Sequence, residues 1–542
     1  MNGGLVKRIT KFALVAAAAS MLFCNWSFSV KAADLGGDCC ADLEERVAEL
    51  EATTVRKGNR KVSLELSGQV DKALLAWNDG KMSDVYVVDN NYSSTRFRMK
   101  GTGQMTPGWR AGFFMEYEFR DSSSNLVDQT TEQNRNLESA LRIRQENVYV
   151  ESERFGRITI GQQNTATKDL VLINLGGGMS DPENYYASSF FLRDNTLGPS
   201  GSAGPTANAL PNSTRTVSPS LGTTAPTITA TPPVPATTFT STIPIIGYSV
   251  GGLNWGNLAN ALDSQRMEVV RYDTPSIFGF IASASWGEND FWDAALRYQK
   301  EWNSIRVAGG VGYAWWGERS LTNGAQFGTN TFFTGNNNSN QPSPTAGPSG
   351  DTSATQVLSN AGQIFGGATT GTKGTKIEVV SGDISVLHVP TGLYATFVAA
   401  VRSFTNTPDE RFNKDASYFY IQAGITKRFF DVGATTFYGE FGNYDNFGAG
   451  ATYFQTFNLI GTPNTLTKVF SSNVDRWGAG FTQAFDGAAL ELYANYIHYQ
   501  AEIKTENFLG AASLGQNAVP GTFVSRPVQD WDAFYTGARL KF

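Results

Sequence analysis

The sequence predicts an all-β chain, a sixteen-stranded antiparallel transmembrane β-barrel preceded by a short α-helical coiled coil. Three observations predict this fold class. Apolar and polar residues alternate with a period of two from about residue 61 onward. Long and short connections between the predicted strands alternate along the chain. The last segment with alternating residues ends at Phe542. Because lipid cannot hydrogen-bond to backbone amides, a sheet that crosses it must close and turn its apolar face outward.

Composition narrows the possible functions. The 542 residues include 43 Lys and Arg against 49 Asp and Glu, a net charge of −6, with no basic block. Nucleic acid is therefore excluded as the main partner, since phosphate binding needs clustered cations. Two histidines, His388 and His498, and three cysteines leave little for catalysis, so we expect no enzyme, no cofactor and no metal. An outer-membrane hydrolase is the enzymatic alternative, but neither histidine has a serine motif with an orienting acid nearby.

The first 32 residues resemble a secretory signal peptide. Lys7, Arg8 and Lys11 precede an apolar run over 12–23, and small residues lead up to Ala32. A spanning helix needs about 20 apolar residues, so an N-terminal membrane anchor is the weaker alternative. We expect cleavage after Ala32 and export of the chain.

Residues 33–60 form a predicted periplasmic extension. Leu43, Val47 and Leu50 follow coiled-coil spacing over two heptads, with charged residues outside the seam. So short a helix needs association to be stable, and a solvated helical spacer is the alternative. The adjacent Cys39 and Cys40 allow a vicinal disulfide, a bond to another chain, or neither.

The barrel is predicted over 61–542. In 95–106, Phe97, Met99 and Met105 alternate with polar residues, and 109–120 repeats the pattern after a Pro107-Gly108 turn. The same template gives sixteen strands near 62–77, 95–106, 109–120, 140–152, 157–163, 265–274, 277–287, 291–301, 304–316, 376–388, 393–404, 417–429, 434–446, 474–485, 488–501 and 531–542.

The connections favour a membrane barrel over a soluble sandwich or propeller. Long ones fall on one end of the predicted barrel and tight turns on the other, as outer-membrane barrels show, with turns in the periplasm and loops outside. The third connection, 164–264, is the longest and contains a Ser/Thr/Pro-rich insertion at 196–244. A second low-complexity stretch covers 324–371, and both insertions are predicted to be exposed loops.

Aromatic residues mark the predicted strand ends, as expected for the girdles at the two lipid–water boundaries. Eight tryptophans lie there: Trp77, Trp109, Trp286, Trp292, Trp315, Trp316, Trp477 and Trp531. In the final strand, Phe534, Leu540 and Phe542 share one face, which we interpret as the C-terminal barrel-assembly signal.

Several segments resemble the general porins of Gram-negative bacteria. Residues 144–150 (RQENVYV) and 154–163 (RFGRITIGQQ) look like the hairpin that leads into the third loop of those porins, and 271–275 (RYDTP) looks like the strand that leaves it. The segment DCCADLEERVAELEATT, followed by GNRKVSL, further resembles alphaproteobacterial porins of the rhizobial type.

The resemblance implies a homotrimer of water-filled pores in the outer membrane, each narrowed by an inward third loop. We further expect contact with outer-membrane lipid and lipopolysaccharide and delivery by the barrel-assembly machinery. If the barrel also anchors the envelope, residues 33–60 reach toward the cell wall. The third connection, about a hundred residues long, departs from the family pattern. We expect its first part to enter the lumen and the remainder to extend outward or cover the mouth.

Opposed charges are predicted at the constriction, where they set ion preference. The loop supplies Asp169, Asp181, Glu183 and Asp194. Pairing of the wall arginines with Glu116, Glu118 or Glu146 is the alternative, in which they only brace the wall. The basic wall comprises Arg96, Arg98, Lys100, Arg110, Arg142 and Arg144.

The predicted function is passive diffusion of ions and small hydrophilic solutes. Two alternatives share the architecture: a substrate-specific porin, and a barrel that anchors the envelope. Saturable block by one solute would reveal the specific channel, and the anchor can coexist with a pore.

Overall fold

The computed structural model describes residues 62–119, 122–129, 132, 141–193, 249–264, 266–287, 291–316, 376–405, 415–449, 452–454, 466–509 and 519–542. The predicted signal peptide, the coiled-coil seam of Leu43, Val47 and Leu50, the cysteine pair, Asp194 and both low-complexity insertions lie outside these residues. Within the described part, no helix has the length and apolar character needed to span a membrane.

The described residues form an almost wholly β structure with one α-helical turn, α1, at Trp255–Leu258, and three short 3-10 turns at Asn91–Ser93, Leu170–Leu172 and Asp486–Ala488. The strands are β1 Val62–Asn78, β2 Ser83–Asp89, β3 Arg96–Thr106, β4 Trp109–Phe119, β5 Leu141–Ser152, β6 Gly156–Asn164, β7 Phe191–Arg193, β8 Ser249–Asn254, β9 Arg266–Asp273, β10 Phe280–Gly287, β11 Phe291–Trp302, β12 Ile305–Trp316, β13 Lys376–His388, β14 Leu393–Thr405, β15 Ala416–Phe430, β16 Gly433–Asp445, β17 Thr452–Phe454, β18 Leu466–Phe485, β19 Leu490–Leu509, β20 Val519–Pro527 and β21 Trp531–Lys541.

The sheet closes into a barrel because the first and last strands pair. β1 runs antiparallel to β21, from Gln69 opposite Lys541 to Asn78 opposite Asp532. Its other edge pairs with β3 over its first half and with β2 over its second half. β2 and β3 thus form one interrupted wall strand, and β20 and β21 form another beside β19. The wall has sixteen antiparallel positions, which confirms the predicted barrel.

Observed and predicted strands agree within a few residues in the wall, and the differences lie at one end. β18 begins at Leu466 and β19 continues to Leu509, eight residues past each prediction. These extensions pair with each other and with β17 and β20. We call this the loop end of the barrel and the opposite end, with its tight connections, the turn end.

Alternation along the strands separates two surfaces. On β13, Ile377 and Val379 are buried inside, whereas Val380 and Ile384 point outward with 57% and 48% exposure. Exposed apolar side chains cover the outside of the barrel in this way from strand to strand. A continuous apolar surface of this kind is stable in contact with lipid and unfavourable in contact with water. The wall therefore lies across a membrane.

The tryptophan prediction was wrong for three residues. Trp77, Trp316 and Trp531 face the interior and are at most 1% exposed. They pack inside against other aromatic rings, such as Phe291 beside Trp316 at 5.2 Å. Alternation identifies where a strand ends only to within a residue or two. An error of one residue assigns the side chain to the opposite face of the sheet.

Candidate functional site

The third loop folds into the barrel and lies along the inner wall. It leaves the wall after Asn164 and returns at Arg266. Most side chains in 165–190 are buried. The wall holds the loop through its backbone: Ile173 N donates to Asp383 at 3.0 Å, and Tyr535 Oη donates to Met179 O at 3.0 Å.

Asp293 on β11 anchors the start of the loop. Its carboxylate accepts hydrogen bonds from Ala166 N at 3.1 Å, from Thr167 N at 2.7 Å and from Thr167 Oγ1 at 2.7 Å. Ser285 on β10 donates to the same carboxylate. Since Asp293 is 1% exposed, its charge is satisfied by these donors rather than by water.

Arg476 on β18 anchors the middle of the loop. It donates to Glu183 O at 3.1 Å and to Ser180 Oγ at 2.7 Å. Glu440 on β16 holds it by an ion pair at 2.8 Å, with both side chains 1% exposed. A buried arginine is stable here because carboxylate and carbonyl oxygens satisfy its planar set of donors.

Aromatic packing fixes the far part of the loop against β1 and β21. Tyr186 stacks on Tyr535 with ring centroids 3.8 Å apart. Phe190 contacts Trp77 at 5.0 Å and Trp531 at 5.3 Å. The loop therefore fills the side of the lumen next to these strands.

The acidic residues of the loop differ in their surroundings. The side chain of Asp169 is 40% exposed and lies 2.7 Å from Lys168 Nζ. Asp181 and Glu183 are 8% and 4% exposed, inside the packed loop. Asp181 accepts from Glu183 N at 2.8 Å and from Tyr185 Oη at 3.2 Å. Of these three, only Asp169 has a partly exposed side chain.

Burial and neighbouring charge act against each other in the loop. Burial alone would raise the pKa of Asp169, but Lys168 and Arg266 outweigh it and hold that pKa below its usual range. Burial and the charge of Glu183 both raise the pKa of Asp181 well above its ordinary value. Burial acts to lower the pKa of Lys168, but Asp169, Asp263 and Glu183 together hold it above its usual value.

The predicted basic wall is a network of ion pairs on β3, β4 and β5. Glu116 pairs with Arg96 at 3.7 Å, with Arg144 at 2.6 Å and with Arg98. Glu118 pairs with Arg142 at 3.4 Å and with Arg144. Four guanidinium groups therefore surround two carboxylates. The pairing that the sequence left as an alternative is present for Glu116 and Glu118.

The rest of the predicted wall lies outside this cluster. Lys100 is exposed, and Arg110 pairs with Glu151 at 3.7 Å near the turn end, with both side chains well exposed. Within the cluster Arg98 is the most exposed, at 37% of its side chain. Glu146, the third candidate partner, is opposite Met115 and points out of the barrel.

Several residues that hold the loop were not predicted. Asp263 pairs with Lys168, and Arg297 donates to Lys168 O at 3.0 Å. Arg271 donates to the carbonyls of Asn164 and Thr165, both at 3.1 Å. Arg271 and Arg297 could have been identified from the sequence, because each is a charged residue at an inward position of an alternating strand. Asp263 lies in a loop, where no period identifies it.

The C-terminal residues close the barrel at the turn end. Gly68 N donates to Phe542 O at 2.8 Å and Phe542 N donates to Gly68 O at 3.0 Å. Leu540 and Phe542 are 45% and 63% exposed, and Phe534 lies on the same outward face. In the described part of the chain, no group of three or more His, Cys, Asp or Glu side chains is arranged to hold a metal ion.

Comparisons with known proteins identify the family of the chain. The model of the Gram-negative porin family matches residues 10–499. No curated protein matches the chain significantly. Among solved structures, an anion-selective porin from Comamonas acidovorans is similar at 12% identity, covering 89% of this chain and 100% of that chain with a TM-score of 0.44. In-vitro folded OmpT of Vibrio cholerae is similar at 11% identity, covering 90% and 100% with a TM-score of 0.41.

OmpF of Salmonella typhi in complex with daunomycin is similar at 11% identity, covering 89% of this chain and 98% of that chain with a TM-score of 0.39. The family match spans most of the chain. The chain thus belongs to the Gram-negative porin family and is an outer-membrane β-barrel that acts as a passive diffusion channel.

Proposed function

We propose that the channel is a general diffusion pore whose narrowest part lies between the arginine cluster of β3 to β5 and the third loop. One observation carries the proposal: partly exposed charges of opposite sign, Arg98 on the wall and Asp169 on the loop, lie on these two elements. The positive charge of Arg144 adds to the effect of Lys168 and Arg266 in holding the pKa of Asp169 below its usual range.

Opposed charges across a narrow aqueous passage create a transverse field, which orients dipolar solutes and selects among ions. The cluster has an excess of cations, since four guanidinium groups meet two carboxylates. Asp181 and Glu183 are buried and contribute little to the field that a solute meets. Asp169 then supplies most of the negative charge at the constriction. That Asp194 contributes to it as well stays a prediction.

General diffusion is favoured over a substrate-specific channel by the position of the inner aromatic residues. Tyr493, Tyr499, Trp531 and Tyr535 face inward, yet each is at most 2% exposed. The third loop covers this side, so these rings offer no stacking surface to a solute. Saturable block of conductance by a single sugar or nucleoside would favour the specific channel instead.

Charge reversal tests the placement of the constriction. We expect Arg98→Glu to shift the reversal potential in a salt gradient toward cations, because it replaces a lumen cation with an anion. Lys376→Glu is the matched control: Lys376 lies on the outer face, 5.9 Å from the ring centroid of Trp315, and should leave selectivity unchanged.

Phe97→Lys checks the assignment of inner and outer faces. Phe97 is next to Arg98 but points outward and stacks on Tyr117 at 5.2 Å. A lysine there should impair insertion by about 2–4 kcal/mol if it lies near the membrane midplane. Unchanged selectivity in Arg98→Glu together with normal insertion of Phe97→Lys would contradict the proposed register of β3.

We further propose that the chain is a rhizobial-type porin, processed after Ala32, that assembles as a homotrimer. The heptads of Leu43, Val47 and Leu50 support a coiled coil on the trimer axis. Residues 33–60 would then extend toward the cell wall. Chemical cross-linking of the folded protein with and without 33–60 tests this: trimers in both forms support the barrel as the trimer contact, and monomers in both contradict the assembly.

Two other contacts follow from the outer surface. Lys376 over Trp315 at the loop end suits the phosphate and sugar groups of lipopolysaccharide. The exposed Leu540 and Phe542 support recognition of the last strand by the barrel-assembly machinery. Deletion of Phe542 should reduce the yield of inserted barrel in cells while export across the inner membrane continues.

A further inference from the structure

The inner face of β12 carries only small residues under the start of the third loop. Gly310 and Gly312 lie between Ala308 and Ala314, which point inward and are buried. Neither glycine has a left-handed backbone, so conformational freedom does not explain why glycine stands at these two positions. We call the pair the glycine notch, because the two missing side chains leave a gap in the inner wall.

Leu170 of the loop fills the glycine notch. It begins the 3-10 turn Leu170–Leu172 and is fully buried. A Cβ atom on Gly310 would lie 2.5 Å from Leu170 Cδ1, and a Cβ atom on Gly312 would lie 2.8 Å from Leu170 Cδ2. Carbon atoms in favourable contact are about 3.5–4.0 Å apart, so an alanine at either position would displace the leucine. The loop approaches β12 this closely because both residues are glycine.

The residue before Leu170 is the exposed aspartate of the proposed constriction. Asp169 has a left-handed backbone, with a φ of 63°, which is uncommon for a residue other than glycine. Its side chain is 40% exposed, whereas Lys168 and Leu170 on either side are buried. The left-handed turn therefore directs Asp169 into the lumen between two buried neighbours.

These two neighbours are held in different ways. Lys168 makes polar contacts: it pairs with Asp263, and its carbonyl oxygen accepts a hydrogen bond from Arg297 at 3.0 Å. Leu170 packs instead against β12, which is paired on both edges over its whole length. Long polar side chains can adjust their rotamers, but a close-packed wall strand does not yield. The depth of the glycine notch thus fixes how near this part of the loop comes to the wall.

We infer that the glycine notch determines ion selectivity: through Leu170 it sets how far the Asp169 carboxylate projects into the channel. Gly310 and Gly312 are positioning residues, because they act on a solute only through the loop. A filled notch would push Asp169 toward the centre of the channel, and a smaller residue at position 170 would let it withdraw toward the wall. The inference rests on the proposed constriction and names the wall residues that place its acidic side.

Substitutions on the two sides of this contact give the first test. The purified mature protein is recorded in a planar bilayer with a salt gradient across it. We expect Gly312→Ala to lower the conductance and to shift the reversal potential toward cations, because the loop moves into the channel by about 1 Å. We expect Leu170→Ala to raise the conductance and to shift the reversal potential toward anions. If the notch served only to stabilise the loop, both variants would loosen it and shift the potential in the same direction.

A transfer of volume from the loop to the wall is the second test, and it decides even if Gly312→Ala does not fold. A Cβ atom on Gly312 also lies 2.7 Å from Thr167 Cγ2. Combining Gly312→Ala with Leu170→Ala and Thr167→Ser removes both obstructing groups, and the serine hydroxyl keeps the hydrogen bond to Asp293. We expect this triple variant to restore the wild-type conductance and reversal potential. Gly439→Ala is the matched control, because Gly439 lies on the outer face of β16 and the nearest atom to an added Cβ is 3.8 Å away.

Asp169→Asn separates a failure of this inference from a failure of the proposed constriction. If it shifts the reversal potential toward anions while Gly312→Ala and Leu170→Ala shift it in the same direction or not at all, the inference is overturned and the constriction stands. A triple variant that folds without restoring the wild-type values has the same meaning. If Asp169→Asn leaves the reversal potential unchanged, the acidic side of the constriction is wrong and the inference fails with it.

Discussion

At the residue scale, the arginines of β3 and β5 have two effects. Their ion pairs stabilise the barrel wall, and their positive charge contributes to the electric field in the lumen. Glu116 and Glu118 are each 2% exposed and bind guanidinium groups on both neighbouring strands. The carboxylates of β4 reduce the repulsion between the guanidinium groups of β3 and β5, which would otherwise destabilise the wall. Arg98 keeps an exposed surface, so the cluster still acts on passing ions.

Removing one carboxylate should therefore change both stability and selectivity. We expect Glu116→Gln to lower the free energy of unfolding by about 3 kcal/mol, because it leaves arginines without their buried counter-charge. The same change should shift the reversal potential toward anions. Heat-dependent gel mobility measures the first effect and a salt gradient in a planar bilayer the second. Loss of stability with unchanged selectivity would mean that the cluster lies away from the conducting path.

The sequence predicts the identity of this cluster but not its internal pairing. Alternation places Arg96, Arg98, Glu116 and Glu118 on one face without any knowledge of the fold. A bulge leaves Arg144 of β5 unpaired between Glu116 and Tyr117 of β4, and because of it Glu146 points outward instead of sharing the inward face of Arg142 and Arg144. A bulge inserts one residue and reverses the face of those that follow, and no period in the sequence marks where it occurs.

At the element scale, the wall strands follow from the sequence and the course of the third loop does not. Each wall strand shows the alternation of apolar and polar residues within its own sequence. Tight turns are also encoded locally: Asn303 and Ser304, between β11 and β12, both adopt positive φ. The loop is held instead by single inward residues on many strands, including Asp293, Asp383 and Arg476. Those contacts are long-range and isolated, so sequence patterns do not reveal them.

The anchor at Asp293 should be sensitive to substitution. Asp293→Ala removes the acceptor for Ala166 N, Thr167 N and Thr167 Oγ1 and leaves buried donors unsatisfied. We expect a local loss of about 3 kcal/mol at the start of the loop, with the wall intact. Hydrogen exchange of residues 165–170 should rise, while Asp293→Asn, which keeps one carbonyl oxygen, should show a smaller effect. Unchanged exchange in both variants would contradict the anchoring role.

Loop packing should also depend on pH through Asp181. Burial and Glu183 raise its pKa in the folded loop above the ordinary value, so the folded state binds the proton more tightly than the unfolded state. The stabilisation is then fully present below the ordinary pKa of an aspartate and is lost as pH rises through the folded pKa. Asp181→Asn should remove this loss and make protease resistance of 165–190 less dependent on pH. Equal pH dependence in the variant and the wild type would rule out Asp181 as its origin.

At the scale of the whole molecule, the barrel is asymmetric. The third loop packs against β18, β21 and β1 through Arg476, Tyr535 and Trp77, so that side of the interior is filled. Exposed inward charges, such as Arg98 and Lys100, lie on β3. The open path is therefore expected along the basic wall, which explains how a long loop narrows the channel without closing it.

As a diffusion channel, the barrel must be open to ions. Single-channel recording of the purified mature protein in a planar bilayer, with a salt gradient across it, tests this most directly. We expect large ohmic steps, grouped in threes for a trimer, and a reversal potential that shifts in the Arg98→Glu variant. Folded, heat-modifiable protein that gives no conductance would contradict it, and the third loop would then be a plug rather than a constriction.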